Sequence, residues 1–391
     1  MISRNLRHFR VFLSVAKHRS PTVAAVHCVV SQPAVTQSLA KLEREAGGAL
    51  FDRTQQGFFL TRRGEMLEAR LRRAMHRLDQ ALRDLAPRLV RTATAPQLVA
   101  LIAMSEHQNY TLAARSLGLA QPTVHRSISQ IEQESDKPLF ERASFGMVAT
   151  QACKKLAHAA RLAFSEFEQI EAELAELDGK DVGRIVVGSL PLSRSAVLPQ
   201  ALVHFRERRP KRQVTIIDGP YDDLLNGLRR GEIDFVFGAL RYPAPIKDVE
   251  QEHLFFDSLA ILARPGHPLA NDTLVTQEKL HDQGWVVPRE GTPARKQFDA
   301  EFAGAAPTSI FECGSILLMR EILRRTDLLG CISSQQAEIE IDNGLLVALE
   351  TGIEWQNRPI GFTFRSDWVP TESQSLLLEL VRESSHSSVQ V

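Results

Sequence analysis

Two segments of the sequence combine an apolar stripe at helical spacing with hydrogen-bonding side chains on the remaining faces. They are VVSQPAVTQSLAKLE, from Val29 to Glu43, and GLAQPTVHRSISQIE, from Gly118 to Glu132. In the first segment the side chains outside the apolar stripe are Gln32, Ala34, Thr36, Gln37, Ala40 and Lys41. Amide, hydroxyl and cationic groups of this kind hydrogen-bond to base edges and phosphates. The pattern therefore predicts a helix whose polar face can enter a DNA major groove.

These segments belong to a longer internal repeat. An offset of 89 residues aligns residues 9–61 with residues 98–150 without a gap, and 15 of the 53 aligned pairs are identical. Chance alone gives about three identities at ordinary residue frequencies. We therefore predict two copies of one small domain, which we call the first and the second copy.

Three helices and two short strands are predicted to position the polar face in each copy. Apolar residues at helical spacing indicate a first helix, and Thr22 and Thr111 are predicted to cap a short second helix. Ser31 is predicted to cap the third helix, with Pro33 in the first turn, where its missing N–H is harmless. The segments LFDRTQQGFFLT and LFERASFGMVAT then indicate two strands around a glycine turn. This order is that of a helix-turn-helix followed by a β-wing.

Residues 24–64 resemble the winged helix-turn-helix of LysR-type transcriptional regulators. They contain paired alanines, S-Q-P-A-V-T, L-E, L-F-x-R and a wing that ends in L-T-x-x-G. In the second copy Ala120 replaces the capping serine, which costs on the order of 1 kcal/mol. Asp136 stands where the first copy has Gly47, and Cys153 stands where it has Gly64. The family resemblance implies one such domain per chain, so two in tandem are a departure.

The resemblance also implies which side chains meet DNA. In the first copy they are Gln32, Ala34, Thr36, Gln37 and Lys41 on the helix, with Arg53 in the wing at phosphate or the minor groove. In the second copy they are Gln121, Thr123, His125, Arg126 and Arg142. The alternative is that either helix has merely an exposed polar face. It has more weight for the second copy, since residues 95–155 hold about one net positive charge and phosphate neutralisation supplies much of DNA affinity.

A row of apolar residues at heptad spacing, which we call a seam, follows each copy. After the second copy, steps of four and three connect Leu156, Ala160, Ala163, Phe167, Ile170, Leu174 and Leu177. This seam resembles the linker helix through which LysR-type regulators dimerise, so we expect self-association as a dimer or tetramer through the linker helices. A shorter seam on a basic helix comprises Leu67, Leu71, Ala74, Leu78, Ala81 and Leu85. Either seam can instead pack against its own chain.

The sequence after Gly183 alternates short β-branched runs with amphipathic helices. This pattern predicts parallel sheets with helices on their faces, in two regions, the second running from Leu259 to Ala348. The segment RPIGFTFRS and a closing helix over residues 374–382 are predicted to return to the first region. The segments LRRGEIDFVFGAL and ARPGHPLA resemble parts of the effector-binding domain of LysR-type regulators. The resemblance implies a periplasmic-binding-protein-like fold, with two α/β halves and a cleft between them.

The effector site is expected where the predicted strands end. Ligands of α/β folds bind beyond the carboxyl ends of strands, where helix N-termini present free N–H groups. These places hold Ser189, Leu190, Pro191 and the residues up to Ser195, then Gly238, Ala239, Pro288, Arg289, Ser315 and Ile316. Two helix N-termini at one cleft favour a small organic acid or similar anion. Arg194, Arg241 and Arg289 either add positive charge or are surface arginines, and Ser315 is either a helix cap or a ligand contact.

Composition and missing motifs restrict the class of protein. The chain has 47 basic and 47 acidic residues, but residues 1–94 hold 17 basic against 7 acidic, which favours a polyanionic partner. The motifs G-x-S-x-G, H-E-x-x-H, G-x-G-x-x-G and the P-loop are missing, and the histidines form no metal-spaced cluster, so we expect neither an enzyme nor a cofactor or metal. The four cysteines are expected to be reduced core thiols. We expect no membrane contact and a cytoplasmic location, because the apolar runs are too short to span a bilayer and MISRNLRHFR lacks a secretion signal.

These observations together predict an α+β multidomain DNA-binding transcriptional regulator controlled by a small anionic effector. The expected winged helix-turn-helix domains are residues 1–63 and 95–151. Each is expected to be followed by a coiled-coil linker helix, at residues 64–94 and 152–180. Residues 181–383 are expected to form the effector-binding domain, and residues 384–391 a disordered tail. One alternative is a regulator in which only the first helix-turn-helix binds DNA and the second is architectural. A more distant alternative is an enzyme or solute-binding protein of the two-lobed α/β fold.

Overall fold

The structure is a computed structural model that describes residues 3–144, 146–194, 197–244, 246–304, 307 and 309–387. The chain divides into two units, residues 1–184 and 185–391. Among the described residues, no helix has the length and apolar character needed to cross a membrane. We describe each unit separately.

The first unit contains the same order of elements twice. The first copy comprises α1 (Leu6–His18), α2 (Pro21–Cys28), α3 (Gln32–Glu45), β1 (Phe51–Thr54), β2 (Gly57–Leu60) and α4 (Arg62–Leu85). A short helix, α5 (Leu89–Thr92), leads to the second copy, which comprises α6 (Ala95–His107), α7 (Tyr110–Leu117), α8 (Gln121–Ser135), β3 (Phe140–Ala143), β4 (Gly146–Ala149) and α9 (Gln151–Leu177). Each strand pair is an antiparallel hairpin. Both copies thus have the order of helices and strands that the sequence predicts.

The caps of the second helices differ from those predicted. The Ser20 hydroxyl accepts a hydrogen bond from the backbone of Val23 at 3.3 Å, and the Asn109 side chain accepts one from Thr111 N at 2.9 Å. Thr22 and Thr111 therefore lie inside the first turn, and the prediction that they are caps is wrong. The reason is that each helix begins earlier, after a residue whose extended backbone turns its own side chain towards the free N–H groups.

Several identities between the copies have a common structural cause. Glu43 and Glu132 each accept a hydrogen bond from the backbone N–H of the leucine seven residues later, at 3.1 and 2.7 Å. Each carboxylate thereby joins the third helix of its copy to the start of the hairpin. Thr61 and Thr150 cap α4 and α9 through their hydroxyl groups. The repeated residues therefore fix the same local connections twice.

The two long helices, α4 and α9, pack antiparallel against each other in the first unit. Arg63 in the first turn of α4 pairs with Asp178 just after α9, while Arg70 pairs with Glu173 one turn earlier on α9. A single apolar cluster contains residues of both copies and of both long helices. Six of the seven seam residues on α9 are buried within the chain, and Leu177 is half-buried. In this chain the seam packs against α4, which is the alternative that the sequence left open, and self-association through the linker helices stays a prediction.

The second unit consists of two lobes. Lobe A has the sheet order β6-β5-β7-β14-β8 and lobe B the order β11-β10-β12-β9-β13. In chain order the elements are β5 (Arg184–Ser189), α10 (Val197–Arg208), β6 (Gln213–Asp218), α11 (Tyr221–Arg229), β7 (Phe235–Ala239), β8 (Val249–Asp257), β9 (Leu259–Ala263), α12 (Gln277–His281), β10 (Gly284–Val287), α13 (Pro293–Glu301), β11 (Ser309–Glu312), α14 (Ile316–Leu323), β12 (Leu329–Ser333), α15 (Ser334–Asp342), β13 (Val347–Ala348), β14 (Arg358–Arg365) and α16 (Glu372–Ser387).

The sheets are mixed rather than wholly parallel. Strand β5 is parallel to β7, and β10 is parallel to β11 and β12. Strand β14 is antiparallel to β7 and β8, and β9 is antiparallel to β12 and β13. The prediction of parallel sheets is wrong for these strands. Parallel neighbours need a crossover back to the starting edge, whereas β9 and β14 enter their sheets directly from the other lobe.

The closing helix is longer than predicted. Helix α16 extends to Ser387, and Ser384 and Ser385 are buried. Residues 384–387, which the sequence assigns to a disordered tail, are therefore helical, while residues 388–391 lie outside the described residues. Apolar side chains of α16 up to Val381 pack with those of α10 in lobe A. Beyond them the Ser385 hydroxyl donates to Arg382 O at 2.7 Å, so that this buried polar side chain is satisfied within the helix.

The cysteines are free thiols. Cys153, Cys313 and Cys331 are buried, and Cys28 is half-buried. Burial raises the pKa of the Cys153 and Cys331 thiols to about 12, which keeps them protonated and unreactive. Within the described parts of the chain, no group of three or more His, Cys, Asp or Glu side chains is placed to hold a metal ion.

Candidate functional site

Helix α3 has one buried and one exposed face. Val35, Leu39 and Leu42 are buried in the core, and the Ser31 hydroxyl caps the helix by accepting a hydrogen bond from Ala34 N at 3.4 Å. On the opposite side the structure exposes Gln32, Thr36 and Gln37 and leaves Ala34 and Lys41 half-buried. The predicted residues therefore share a polar surface on a helix whose other face is held by the core.

Helix α8 has the equivalent arrangement without the cap. Val124, Ile128 and Ile131 are buried, and no side chain of Ala120 caps the first turn. The exposed residues are Gln121, Thr123, His125 and Arg126. The His125 ring packs against the Tyr110 ring with centroids 5.2 Å apart, so α7 restricts one side of the polar face.

The two hairpins hold the predicted wing arginines. Arg53 is exposed, and its guanidinium pairs with Glu43 at 2.7 Å and lies 5.5 Å from the centre of the Phe58 ring. The pair holds the Arg53 side chain between the hairpin and α3. Arg142 is exposed in β3.

An imidazole lies close to α3 in the first copy. Burial lowers the pKa of His8 below 6.5, and the positive charge of Lys41 lowers it further, while Glu45 offsets part of this effect. Burial and the nearby ammonium of Lys41 therefore both oppose protonation of His8 in the folded chain.

The expected effector residues of lobe A lie together at the ends of β5 and β7. Ser189 is fully buried, Leu190 N donates to Phe237 O at 3.1 Å, and Ala239 is half-buried. Gly238 has a φ of +149°, and a Cβ there would lie 2.5 Å from the Leu190 Cβ. Glycine is therefore required where these two strand ends meet.

The expected residues of lobe B form a second group. Pro288 and Arg289 follow β10, and Arg289 lies so close to Gly314 that a Cβ on Gly314 would be 2.9 Å from the Arg289 Nε. The exposed Ser315 caps α14 by accepting from Leu318 N at 3.4 Å, and Ile316 is half-buried. An arginine thus lies beside a capped helix N-terminus, which is an electropositive place.

Two hydrogen bonds join the lobes near these groups. The Gln336 side chain donates to Pro191 O at 3.0 Å, and the Arg241 guanidinium donates to Gly291 O at 3.5 Å. Arg241 also lies over the Tyr221 ring at 4.8 Å, and burial lowers its pKa. Ser195 and the side chain of Arg194 lie outside the described residues.

Two features at this place were not predicted from the sequence. Gln336 is the third residue of α15, and its backbone donates to Ser333, so the capping serine was the available signal. Asp257, at the end of β8, pairs with Arg358 and accepts from the Ser333 hydroxyl at 2.9 Å. Burial raises the pKa of Asp257 despite the opposing charge of Arg358. These partners are far apart in sequence, and no local pattern connects them.

Comparison with known proteins identifies the family. Residues 6–65 and residues 96–154 each match the family described as bacterial regulatory helix-turn-helix protein, lysR family. Residues 178–385 match the LysR substrate binding domain.

Individual relatives agree with this result. The chain is 33% identical over 390 residues to the HTH-type transcriptional regulator GalR of Pseudomonas putida, with 97% of each protein covered. A full-length variant of OxyR from Pseudomonas aeruginosa has a similar fold, with a TM-score of 0.52, 19% identity, and coverage of 75% of this chain and 94% of that one. Full-length CbnR in complex with its target DNA has a TM-score of 0.50 and 20% identity, with coverage of 74% and 99%. The chain therefore belongs to the LysR family and is a DNA-binding transcriptional regulator with an effector-binding domain.

Proposed function

We propose that both copies are winged helix-turn-helix domains that bind DNA, and that a small organic acid bound in the second unit controls them. The observation that supports DNA binding is the amphipathic arrangement that α3 and α8 share. Each helix has a fully buried apolar stripe and an exposed polar face. CbnR, which is similar in fold, was solved in complex with its target DNA.

The exposed side chains of α3 and α8 suit base edges. Glutamine forms paired hydrogen bonds with adenine, and arginine forms them with guanine. We therefore assign base contacts to Gln32, Ala34, Thr36 and Gln37 in the first copy and to Gln121, Thr123, His125 and Arg126 in the second. Lys41, Arg53 and Arg142 are assigned to phosphates, which position the protein without specifying sequence.

A footprint of the upstream region of its own gene tests this proposal. Full-length wild type is compared with Gln37→Ala and Arg126→Ala proteins at a fixed, stated salt concentration, because phosphate binding depends strongly on salt. Arg208→Ala is the control: it removes an exposed positive charge from α10 in the second unit. We expect each test variant to lose one separate protected patch and the control to lose none.

The alternative outcome is also specific. If Gln37→Ala removes all protection and Arg126→Ala changes nothing, the second copy is architectural and only the first binds DNA. If neither variant changes the footprint, the proposed DNA interface is wrong.

The effector proposal rests on the groups at the lobe ends. Arg289 lies beside the capped N-terminus of α14, and Ser189, Leu190, Pro191, Gly238 and Ala239 form the facing strand ends in lobe A, with Pro288, Ser315 and Ile316 in lobe B. Positive charge and helix N–H groups favour a carboxylate. Isothermal titration with small carboxylic acids and their neutral amides tests this, with Arg289→Ala and Ser315→Ala as variants. Binding of the amides alone would contradict an anionic effector.

The remaining features follow from this assignment. We also propose that the domains end at residues 63, 94, 151 and 180. We propose a cytoplasmic location as well, because chromosomal DNA is found there. We also propose self-association through the second unit. Edge strand β11 and helix α14 expose Phe311, Leu317 and Leu318, which are 55–59% exposed, and clustered apolar surface of this kind marks protein interfaces.

A further inference from the structure

The pairing of α4 with α9 follows the symmetry of the repeat. When the 89-residue offset is removed, Glu166 occupies the position of Arg77 in the first copy, and Glu173 occupies that of Asp84. Arg70 pairs with both glutamates, at 3.1 and 2.6 Å. The midpoints of these pairs fall around Met75, whose equivalent is Phe164, and both residues are buried. Each long helix therefore crosses its equivalent near the middle, as in an interface between two identical subunits.

The ends of the helices agree with this symmetry. In the second copy, the turn after α8 meets the end of α4: Lys137 Nζ donates to Leu85 O at 3.2 Å. In the first copy, the turn after α3 meets the end of α9: Arg63 donates to Ala46 O at 2.6 Å and also pairs with Asp178. Each copy thus places the same turn against the far end of the other copy's long helix.

The distribution of charge favours the pairing of α4 with α9 over the pairing of either helix with a second copy of itself. From Arg62 to Arg73, α4 has five arginines and two glutamates, and the facing half of α9, from Glu166 to Glu176, has five glutamates and no basic residue. Pairing α4 with a second α4 in the same geometry would place Arg70 opposite Arg77 as well as Asp84, so that one of the two carboxylate partners is replaced by a like charge. Pairing α9 with a second α9 would leave Glu166 and Glu173 opposite Ala159. The α4–α9 combination instead gives Arg70 two carboxylate partners and no facing guanidinium.

The two copies also share apolar contacts that hold them in place. Phe9 of α1 packs against Phe167 of α9 with ring centres 4.9 Å apart, and one apolar cluster spans both copies. The two polar helices, α3 and α8, therefore belong to one packed body within a single chain.

We propose that one chain contains a complete two-fold pair of DNA-binding domains, in which the first copy takes the place of a partner subunit, and that this pair binds two unlike half-sites of one operator. The half-sites differ because the exposed residues differ: Thr36 and Gln37 in α3 correspond to His125 and Arg126 in α8. The inference rests on the proposed function, since it requires both copies to bind DNA.

Cross-linking of the full chain tests the pairing. Arg63→Cys and Asp178→Cys are introduced together with Cys28→Ser, because the three other thiols are buried. A short bismaleimide is expected to give a product of monomer mass with altered gel mobility. A product of dimer mass, absent from the two single-cysteine controls, would show that α4 and α9 pair between chains and would overturn the inference.

A footprint of the cross-linked monomer tests the half-sites. We expect both protected patches to persist, because the link joins groups that are already in contact. Loss of either patch would contradict the two-site arrangement. The proposed function fails separately: if Gln37→Ala and Arg126→Ala both keep the whole wild-type footprint, the DNA interface is wrong whichever product forms.

Charge exchange gives an independent measurement. Arg70→Glu is expected to abolish the footprint, and adding Glu166→Arg and Glu173→Arg to the same chain is expected to restore it. A mixture of the Arg70→Glu chain with a Glu166→Arg and Glu173→Arg chain, unfolded and refolded together, should remain inactive. Recovery of the footprint by that mixture would show pairing between chains and would overturn the inference.

Discussion

The Arg70 guanidinium on α4 lies 3.1 Å from the Glu166 carboxylate on α9, and both residues are buried. Burial by itself lowers the pKa of Arg70, but the hydrogen bond and charge of Glu173 and the charge of Glu166 outweigh it and raise that pKa. The charged group is therefore satisfied only when α4 and α9 are in contact.

Replacement of Arg70 by alanine is expected to destabilise the first unit by about 3–5 kcal/mol, because Glu173 loses its partner and Glu166 keeps only Arg73, at 3.2 Å. All three tryptophans, Trp285, Trp355 and Trp368, lie in the second unit. The unfolding transition of Arg70→Ala followed by far-ultraviolet circular dichroism should therefore move towards milder conditions. The transition followed by tryptophan fluorescence should stay where it is in wild type.

The matched control is Arg72→Ala on the same helix. Arg72 pairs with Glu68, but its side chain is 70% exposed, so the expected loss is below about 1 kcal/mol. Equal losses for the two variants would show that the Arg70 pairs contribute no more than a surface pair.

The capping difference between the copies gives a reciprocal pair of substitutions. Ser31→Ala removes the hydrogen bond to Ala34 N and is expected to cost about 0.5–2 kcal/mol, whereas Ala120→Ser is expected to stabilise the first unit by up to about 1 kcal/mol. Urea unfolding followed by circular dichroism measures both. A destabilising Ala120→Ser would mean that the start of α8 does not admit the cap geometry of α3.

The lowered pKa of His8 predicts a loss of stability in mild acid. Its folded-state pKa lies below the ordinary value of 6.5, so between these two values the unfolded chain binds more protons than the folded chain. The contribution of His8 is complete above about pH 6.5 and decreases as the pH falls towards the lowered pKa. The midpoint of the unfolding transition, followed by circular dichroism, should therefore fall less between pH 7.5 and pH 5.5 in His8→Gln than in wild type. The exposed His204, changed to Gln, is the control and should leave the wild-type slope unchanged.

Self-association through the second unit is expected to depend on Leu318. The change Leu318→Asp places a charge in the exposed apolar surface formed with Phe311 and Leu317 and should weaken the dimer or tetramer in sedimentation equilibrium. Leu274→Asp is the control, because Leu274 is 59% exposed but lies outside that surface. Equal masses for both variants and wild type would place the interface elsewhere.

The sequence by itself was sufficient for the local structure and the family. The apolar stripes of α3 and α8, the capping role of Ser31 and the glycine turns are local patterns, since each depends on residues within one or two turns. The repeat is visible because whole segments of the sequence can be compared directly with each other. Strand and helix order in the second unit followed for the same reason. The caps at Ser20 and Asn109 were missed, because a threonine two residues further along each segment was an equally good local candidate.

Only the tertiary structure decided which elements pair. An apolar seam at heptad spacing is equally suited to a partner subunit or to its own chain, and the sequence left both open. Arg70 is separated from Glu166 by 96 residues, and Asp257 from Arg358 by 101, so no periodicity connects them. Strand direction in β9 and β14 was likewise decided by their entry from the other lobe. The sequence determined that the chain has two copies of one small helical domain and an α/β effector-binding domain. The burial of Arg70 between α4 and α9 decided that the copies pair with each other, because both of its carboxylate partners, Glu166 and Glu173, lie on α9.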